Sequence, residues 1–437
     1  MNFRIGYSYV IDKKGNDSVY PMISVASNGS FTETLYNCPP SNNFTNSGYS
    51  FVDYNFKTSF LQHKVTAGWS GDNMENKIPM GLGANWASVN GNIATGPTYI
   101  SNPNLPLRNY LTSGPNYWAK YGVDKTYNWQ IGDEIAVGRK AEVLLGINRA
   151  TVGEASYNWE TGVAAIGGIY DISAWNPSVS VVYKPIDRWS AYFTYIQGLQ
   201  EGLIVPQNTP YVAGETTYTY YTDGGKVFSP QVDNQYEIGA KVNAGKVLLT
   251  AALYQIAKPN TYQTSVVTVA NGVTTTTIDE EQNGLQRNQG VEFTAAGKIT
   301  HDLSIVGGLN LINPSVQKAI PSTSNPNPDG KLATNVAEHM YKVHAEYNVP
   351  KLRGFTVSAG TNYTGNRYEN AINTLSMPDY NLVDLGARYR DDLKGRAVTF
   401  RFLATNATNK AYWLNAEETG MPTVISASME ISLARGR

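Results

Sequence analysis

The sequence predicts an all-β protein, a transmembrane antiparallel β-barrel, and three observations point there. Segments of about ten residues alternate apolar and polar side chains. Short turns alternate with long polar connections along the chain, and no window holds the roughly 18 consecutive apolar residues of a helical span. Glu338 to Pro350 shows the alternation most cleanly, with His339, Tyr341, Val343, Ala345, Tyr347 and Val349 on one face and Met340, Lys342, His344, Glu346 and Asn348 on the other. Successive side chains of a strand point to opposite sides, so one row can meet lipid while the next meets water.

Composition fits this reading. The 30 Tyr, 40 Gly and only 16% charged residues suit aromatic girdles and tight turns. A mean hydropathy of -0.33 is compatible with a membrane, because a barrel strand places only every second residue on lipid. The net charge of -1 leaves no basic stripe for nucleic acid. Cys38 is the single cysteine and makes no internal disulfide. All 437 residues are expected in one partial barrel domain.

Taken in order, strands are expected near 2–12, 18–32, 47–57, 59–70, 127–138, 141–150, 175–185, 188–199, 232–243, 246–258, 287–299, 302–313, 338–350, 353–365, 380–390, 397–408 and 422–433, about 17 in all. The first, Met1-Asn2-Phe3-Arg4-Ile5-Gly6-Tyr7, reads as strand at once and lacks the basic and apolar regions of a signal peptide. Turn chemistry at Lys13-Lys14-Gly15-Asn16-Asp17, Asn243-Ala244-Gly245 and Asp391-Asp392-Leu393-Lys394-Gly395 marks short periplasmic turns. Long extracellular loops are expected at 71–126, 151–174, 200–231, 259–286, 314–337, 366–379 and 409–421.

The alternation also assigns faces. Val291, Phe293, Ala295, Gly297 and Ile299 are expected on lipid, with Glu292, Thr294, Ala296 and Lys298 in the lumen. Val383, Leu385, Ala387 and Tyr389 likewise oppose Asp384, Gly386 and Arg388. Val247 to Ile256 is apolar on both faces, and its orientation stays open.

Several runs resemble TonB-dependent siderophore receptors of the Gram-negative outer membrane. Val182-Tyr183-Lys184-Pro185-Ile186-Asp187-Arg188-Trp189-Ser190-Ala191-Tyr192-Phe193-Thr194-Tyr195 is similar to that family's tyrosine-rich hairpin. Ser229-Pro230-Gln231-Val232-Asp233-Asn234-Gln235-Tyr236-Glu237-Ile238-Gly239-Ala240-Lys241 resembles the strand after its large outer loop, and Asn288-Gln289-Gly290-Val291-Glu292 the glycine-centred element beyond it. Pro378-Asp379-Tyr380-Asn381-Leu382-Val383-Asp384 and Asn406-Ala407-Thr408-Asn409-Lys410-Ala411-Tyr412-Trp413 resemble the last strands, in the family's order and spacing.

The resemblance implies a barrel for ferric siderophore uptake, with no covalent chemistry and no cofactor beyond the transported ferric siderophore. Its implied surroundings are the cell outer membrane, with lipid and lipopolysaccharide as partners. TonB is engaged only in the full-length protein, through N-terminal parts. The family's plug domain and TonB-gripped segment are not found in this sequence, so the chain alone is expected not to transport. Matched from the C-terminus, the first strand resembles the sixth of the family's 22. An odd strand count agrees with an incomplete barrel, because bacterial single-chain barrels are even. The end, Leu433-Ala434-Arg435-Gly436-Arg437, departs from the family's usual terminal aromatic residue.

Ligand contacts are expected in the outward loops, where rigid aromatic rings offer contact area at low entropic cost. The candidates are Trp86, Tyr110 and Trp118 in the first long loop and Tyr211, Tyr218, Tyr220 and Tyr221 in the third. The alternative is that these rings pack the loops onto one another. His63, His301, His339 and His344 are scattered and do not converge as metal ligands. No nucleophile, base and orienting group come together, and Asp384 and Arg388 read as a solvated charge ladder, so no catalytic residue is expected. A passive porin of 16 or 18 strands and a receptor for haem, cobalamin or carbohydrate are the competing readings. A soluble β-rich carbohydrate-binding or hydrolytic protein would need a solvated outer face in place of the Val, Phe, Tyr and Ile stripes.

Overall fold

In hydrocarbon each unpaired backbone N–H or C=O costs several kcal/mol, so a spanning strand must find its partners on neighbouring strands. The computed structural model meets that demand with a single meander. It describes residues 1–14, 17–19, 22–23, 30–33, 36–38, 41–79, 98–99, 118–158, 162–212, 214–319, 328–393, 395–415 and 418–432. Seventeen strands form one sheet. One of them, Thr217–Tyr221, belongs to a loop and pairs in parallel with Thr274 to Ile278.

The other sixteen run antiparallel in chain order: β1 (Asn2–Lys14), β2 (Ser41–Thr58), β3 (Leu61–Pro79), β4 (Trp118–Val137), β5 (Ala141–Tyr157), β6 (Ala164–Ile186), β7 (Trp189–Gln200) and β8 (Gln231–Ala244) come first. Then follow β9 (Val247–Ala270), β10 (Val273–Lys298), β11 (Leu303–Lys318), β12 (His339–Asn348), β13 (Phe355–Thr364), β14 (Tyr380–Leu393), β15 (Arg396–Thr405) and β16 (Val424–Ile431). Among the described residues β1 pairs only with β2 and β16 only with β15.

The expected count of about 17 therefore holds for the sheet, but its membership differs. The strand expected at 18–32 is not a barrel strand: its described residues form the short pieces Asp17–Val19, Met22–Ile23 and Ser30–Glu33, which pair outside the main sheet. The remainder of 18–32 lies outside the described residues. Because β1 runs to Lys14 and β2 starts at Ser41, Lys13 to Asp17 begins a long connection and is no short periplasmic turn. The expected odd count included 18–32, the sheet's seventeenth strand is Thr217–Tyr221 instead, and the described meander itself has sixteen strands.

Strands also reach further than expected at the long-loop end. Much of 151–174 is the continuation of β5 and β6, whose ladder runs to Tyr157 and Ala164. The expected loop 259–286 is a continuous hairpin of β9 and β10, closing through Asn271 and Gly272, both at positive φ.

Register turns the alternation into two surfaces. On the outer one, Trp69, Trp129, Arg149 and Trp175 stand in one row across β3 to β6, with Trp129 and Trp175 64% and 58% exposed. Below them follow Ala67, Ile131, Ile147 and Pro177, then Val65, Asp133, Leu145 and Val179, then His63, Ile135, Val143 and Val181. The eight steps from Trp129 to Val137 span about 26 Å at ~3.3 Å per residue, close to the height of a barrel's apolar band. Asp133 is tolerated on this face because His63 Nδ1 lies 2.7 Å from it. Thr58 contacts the other ring nitrogen at 2.7 Å, and Phe56 stacks on the imidazole.

The inner surface is polar and internally bonded. Arg4 donates twice to Asp53 at 2.9 Å, and Thr66 donates to the same carboxylate. Arg388 pairs with Glu346 at 3.0 Å, whereas Asp384 accepts from the Asn406 amide at 2.9 Å, so the two residues first read as a ladder have separate partners. Register places Leu249, Ala251 and Leu253 of β9 beside Ala295, Phe293 and Val291, which settles the orientation that the sequence left open. Tyrosines lie over inward glycines: a Cβ at Gly290 would sit 2.6 Å from the Tyr254 ring and 2.7 Å from the Leu311 carbonyl, and one at Gly239 2.6 Å from the Tyr192 ring. The Tyr254 and Tyr192 hydroxyls continue to Asn310 and Glu237.

Two paired substitutions test the faces. Phe293→Arg is expected to destabilise the folded protein in lipid by about 2–4 kcal/mol, while Thr294→Arg one residue along costs far less, as read from urea unfolding in bilayers. Gly290→Val is expected to cost about 1–3 kcal/mol through displacement of Tyr254.

Candidate functional site at the long-loop end of the lumen

Above the apolar band the polar connections converge, and their own side chains replace the strand ladder. The 201–230 connection is closed at its neck: Phe228 N donates to Leu203 O and Val205 N to Lys226 O, at 2.9 and 2.8 Å. Gln282 of β10 ties both sides, accepting from Leu203 N at 2.9 Å and donating to Ser229 O at 2.6 Å. Val205 is 1% exposed, so this loop carries a small core of its own.

The tyrosines expected to bind ligand divide between two roles. Tyr211 and Tyr218 meet edge to face at 5.8 Å, and their hydroxyls donate to Glu215 O and Thr209 O. They pack the loop. Asn208 holds Tyr221 by its backbone, through bonds of 2.7 and 2.8 Å. Tyr220 sits on the short parallel strand and is 40% exposed, against 46% for Tyr211. Trp118 opens β4 opposite Pro79 and is partly exposed. No ring contact among the described residues joins it to the loop tyrosines. Trp86 and Tyr110 lie outside the described residues.

Two features escaped sequence reasoning. Arg367, buried on the connection between β13 and β14, donates to Asn335 Oδ1 at 3.2 Å, Leu414 O at 2.9 Å and Trp413 O at 2.8 Å. Its guanidinium lies 5.6 Å from the Tyr380 ring centre, which packs on Tyr412. One side chain thus fastens three connections, and nothing in its local sequence shows that. The Asn406-to-Trp413 run is itself a turn device: buried Asn406 donates to Lys410 O and Met421 O and accepts from Lys410 N. Beside it, Asp379, Lys410, Tyr412 and Trp413 line a cavity of about 610 Å³.

The second feature is a group of carboxyls on the inner face. Asp72, Asp124 and Glu154 stand at the upper ends of β3, β4 and β5, and Glu201 follows β7. Burial first, then hydrogen bonding to Glu154 and the charge of Asp124, pushes the Glu201 carboxyl up to about 7. Among the described residues no group of His, Cys, Asp and Glu is arranged to hold a metal ion.

Arg367→Met is expected to leave the Trp413 and Leu414 carbonyls without their charged donor and to lower stability by about 2–4 kcal/mol. Hydrogen exchange should quicken at residues 332–335 and 412–415 while the β12–β14 ladder keeps its protection.

Comparison with known proteins places this architecture. The chain is 27% identical over 285 residues to the ferrichrome receptor FcuA of Yersinia enterocolitica, covering 64% of this chain and 34% of that protein. It is 24% identical over 238 residues to the ferrichrome outer membrane transporter/phage receptor of Escherichia coli K12, covering 53% and 30%. The chain thus spans about a third of the length of these curated relatives. Among solved structures, BauA, the ferric preacinetobactin receptor of Acinetobacter baumannii, superposes with a TM-score of 0.77 at 24% identity, covering 98% of this chain and 60% of that one. The ferric-catecholate import receptor Fiu of E. coli K12 gives 0.71 at 17%, covering 98% and 61%. Residues 2–407 match the family described as TonB dependent receptor-like, beta-barrel, and with the sixteen-strand meander and its two-faced wall this chain belongs to that family.

Proposed function

We propose that this chain is the barrel part of an outer-membrane receptor for a ferric siderophore, carrying the chelate as cargo and holding no cofactor of its own. The family consists of transport receptors, and its curated relatives include two named for ferrichrome. The observation that carries the reading is the wall itself: an apolar outer row with an exposed aromatic belt, a bonded polar lumen, and a further set of exposed aromatic rings where the long connections gather. Such a wall suits passage of a bulky polar chelate past lipid. In this reading the long connections face outward, lipid and lipopolysaccharide surround the Trp129 and Trp175 belt, and TonB acts through parts of the receptor beyond the barrel. The side chains present perform no bond-making step; they bind, orient and release.

Tyr220 and Trp118 are the contacts put forward for the ligand, because Tyr211 and Tyr218 already spend their rings and hydroxyls on the loop. Titration of the purified chain in detergent micelles with a ferric trihydroxamate, followed by tryptophan quenching, is expected to saturate. Tyr220→Ala and Trp118→Ala should each weaken binding by about 5–30-fold, the loss of a stacking anchor worth roughly 1–2 kcal/mol. Tyr211→Phe, which removes only an internal hydrogen bond, should leave affinity unchanged. Absence of saturable binding to trihydroxamate, catecholate and citrate chelates alike would contradict the reading.

A further inference from the structure

Each short turn of the meander carries a cation in it or beside it. Arg139 and Lys140 make the β4–β5 turn, Arg188 stands in the β6–β7 turn and Lys246 in the β8–β9 turn. Lys351 and Arg353 lie between β12 and β13, Arg396 opens β15, and Lys57 and Lys298 stand at the ends of β2 and β10. All of these residues are exposed, and among the described residues none of them forms an ion pair. The carboxylates of the same turns are engaged locally: Asp302 with His301 at 2.8 Å, Asp392 with the Gly395 amide at 2.7 Å and Asp391 with the Tyr389 hydroxyl at 3.2 Å. Because the whole chain has a net charge of -1, positive charge is concentrated at this end.

Backbone bonds fix where several of these cations stand. The Lys140, Arg188 and Lys246 carbonyls accept from the Lys184, Asn243 and Lys298 amides of the next strand, at 2.6, 2.8 and 3.1 Å. The β12–β13 turn is closed by Leu352 N donating to Val349 O at 3.0 Å. Their level is fixed as well. The apolar row that starts at Trp129 ends at Val137, and Gly138, Arg139 and Lys140 follow at once, so the cations begin where the apolar band stops. Apolar side chains stand among them: Phe60, Ile186, Ile299, Leu352 and Leu393 are each at least half exposed. A soluble acidic partner would call for one charged patch free of exposed apolar groups. Cations along the whole rim, interleaved with apolar side chains, match a layer of anionic headgroups over acyl chains.

We propose that the short-turn rim is a binding surface for phospholipids of net negative charge, whose phosphodiesters dock on these lysines and arginines while the neighbouring apolar side chains enter the acyl boundary. A zwitterionic headgroup carries an ammonium that offsets its phosphate, so the rim selects by headgroup charge. The proposal rests on the membrane placement of the barrel given above and is independent of the cargo.

The test uses the full chain reconstituted in phosphatidylcholine bilayers with a trace of either phosphatidylglycerol or phosphatidylcholine carrying a nitroxide near the end of one acyl chain. Electron resonance separates lipid immobilised on the protein from free lipid. Phosphatidylglycerol is expected to associate about 2–4-fold more strongly than phosphatidylcholine. The ratio should fall toward one in about 1 M salt, which screens exposed charge. Combined Arg139→Gln, Lys140→Gln, Lys246→Gln, Lys351→Gln and Arg353→Gln should also bring it toward one, with the immobilised phosphatidylcholine unchanged as proof that the variant still spans the bilayer. Lys13→Gln with Lys14→Gln, at the long-connection end of β1, should keep the parent ratio. Immobilised phosphatidylcholine with a ratio of one in the parent chain, or a selectivity that survives the fivefold variant, would overturn the rim alone. No immobilised lipid of either kind would overturn the membrane placement and the rim with it.

Discussion

The structure depends on one constraint: inside hydrocarbon, every backbone donor and acceptor must be paired by an adjacent strand. A meander of neighbouring antiparallel strands answers it with the shortest connections, and the pairing then fixes everything else. Once β10 is registered against β9 and β11, Phe293 is bound to one face and Thr294 to the other. A slip of one residue would turn Glu292 toward lipid. The tyrosines over Gly239 and Gly290 belong to the same logic, since they cover inward backbone that has no side chain of its own and pass their hydroxyls to polar neighbours.

Where the ladder ends, side chains take over its work. Asn406 and Arg367 satisfy the carbonyls of irregular connections, much as neighbouring strands do below. Gln282 does so for the 201–230 neck. Charge obeys the same division. On the outer face Asp133 is covered by His63, and on the inner face Asp53 and Glu346 each have an arginine.

The sequence disclosed the membrane-level strands well because lipid imposes a period of two on them. The faces of residues 287–299 and 380–390 could be read directly from Phe293 against Thr294 and Leu385 against Asp384. Above the membrane that signal vanishes: Thr274 to Thr277 is strand, and a run of threonine looks like a loop. Alternation misled at 18–32, whose described residues pair outside the main sheet. The site was less legible still. Tyr211 and Tyr218 look identical to Tyr220 in sequence, and only the three-dimensional contacts show that the first two pack on each other and bond the loop backbone. Arg367 draws its partners from segments 32 to 47 residues away, beyond the reach of local pattern.

One register divides this chain into a lipid-facing and a water-facing surface. Nitroxides placed one at a time from position 287 to 298, in a lipid bilayer, measure it directly through relaxation by oxygen and by a water-soluble nickel complex. A strict period of two is expected, with oxygen dominant at 291, 293 and 295 and nickel dominant at 290, 292 and 294. Equal accessibility at neighbouring positions, or the opposite phase, would contradict it.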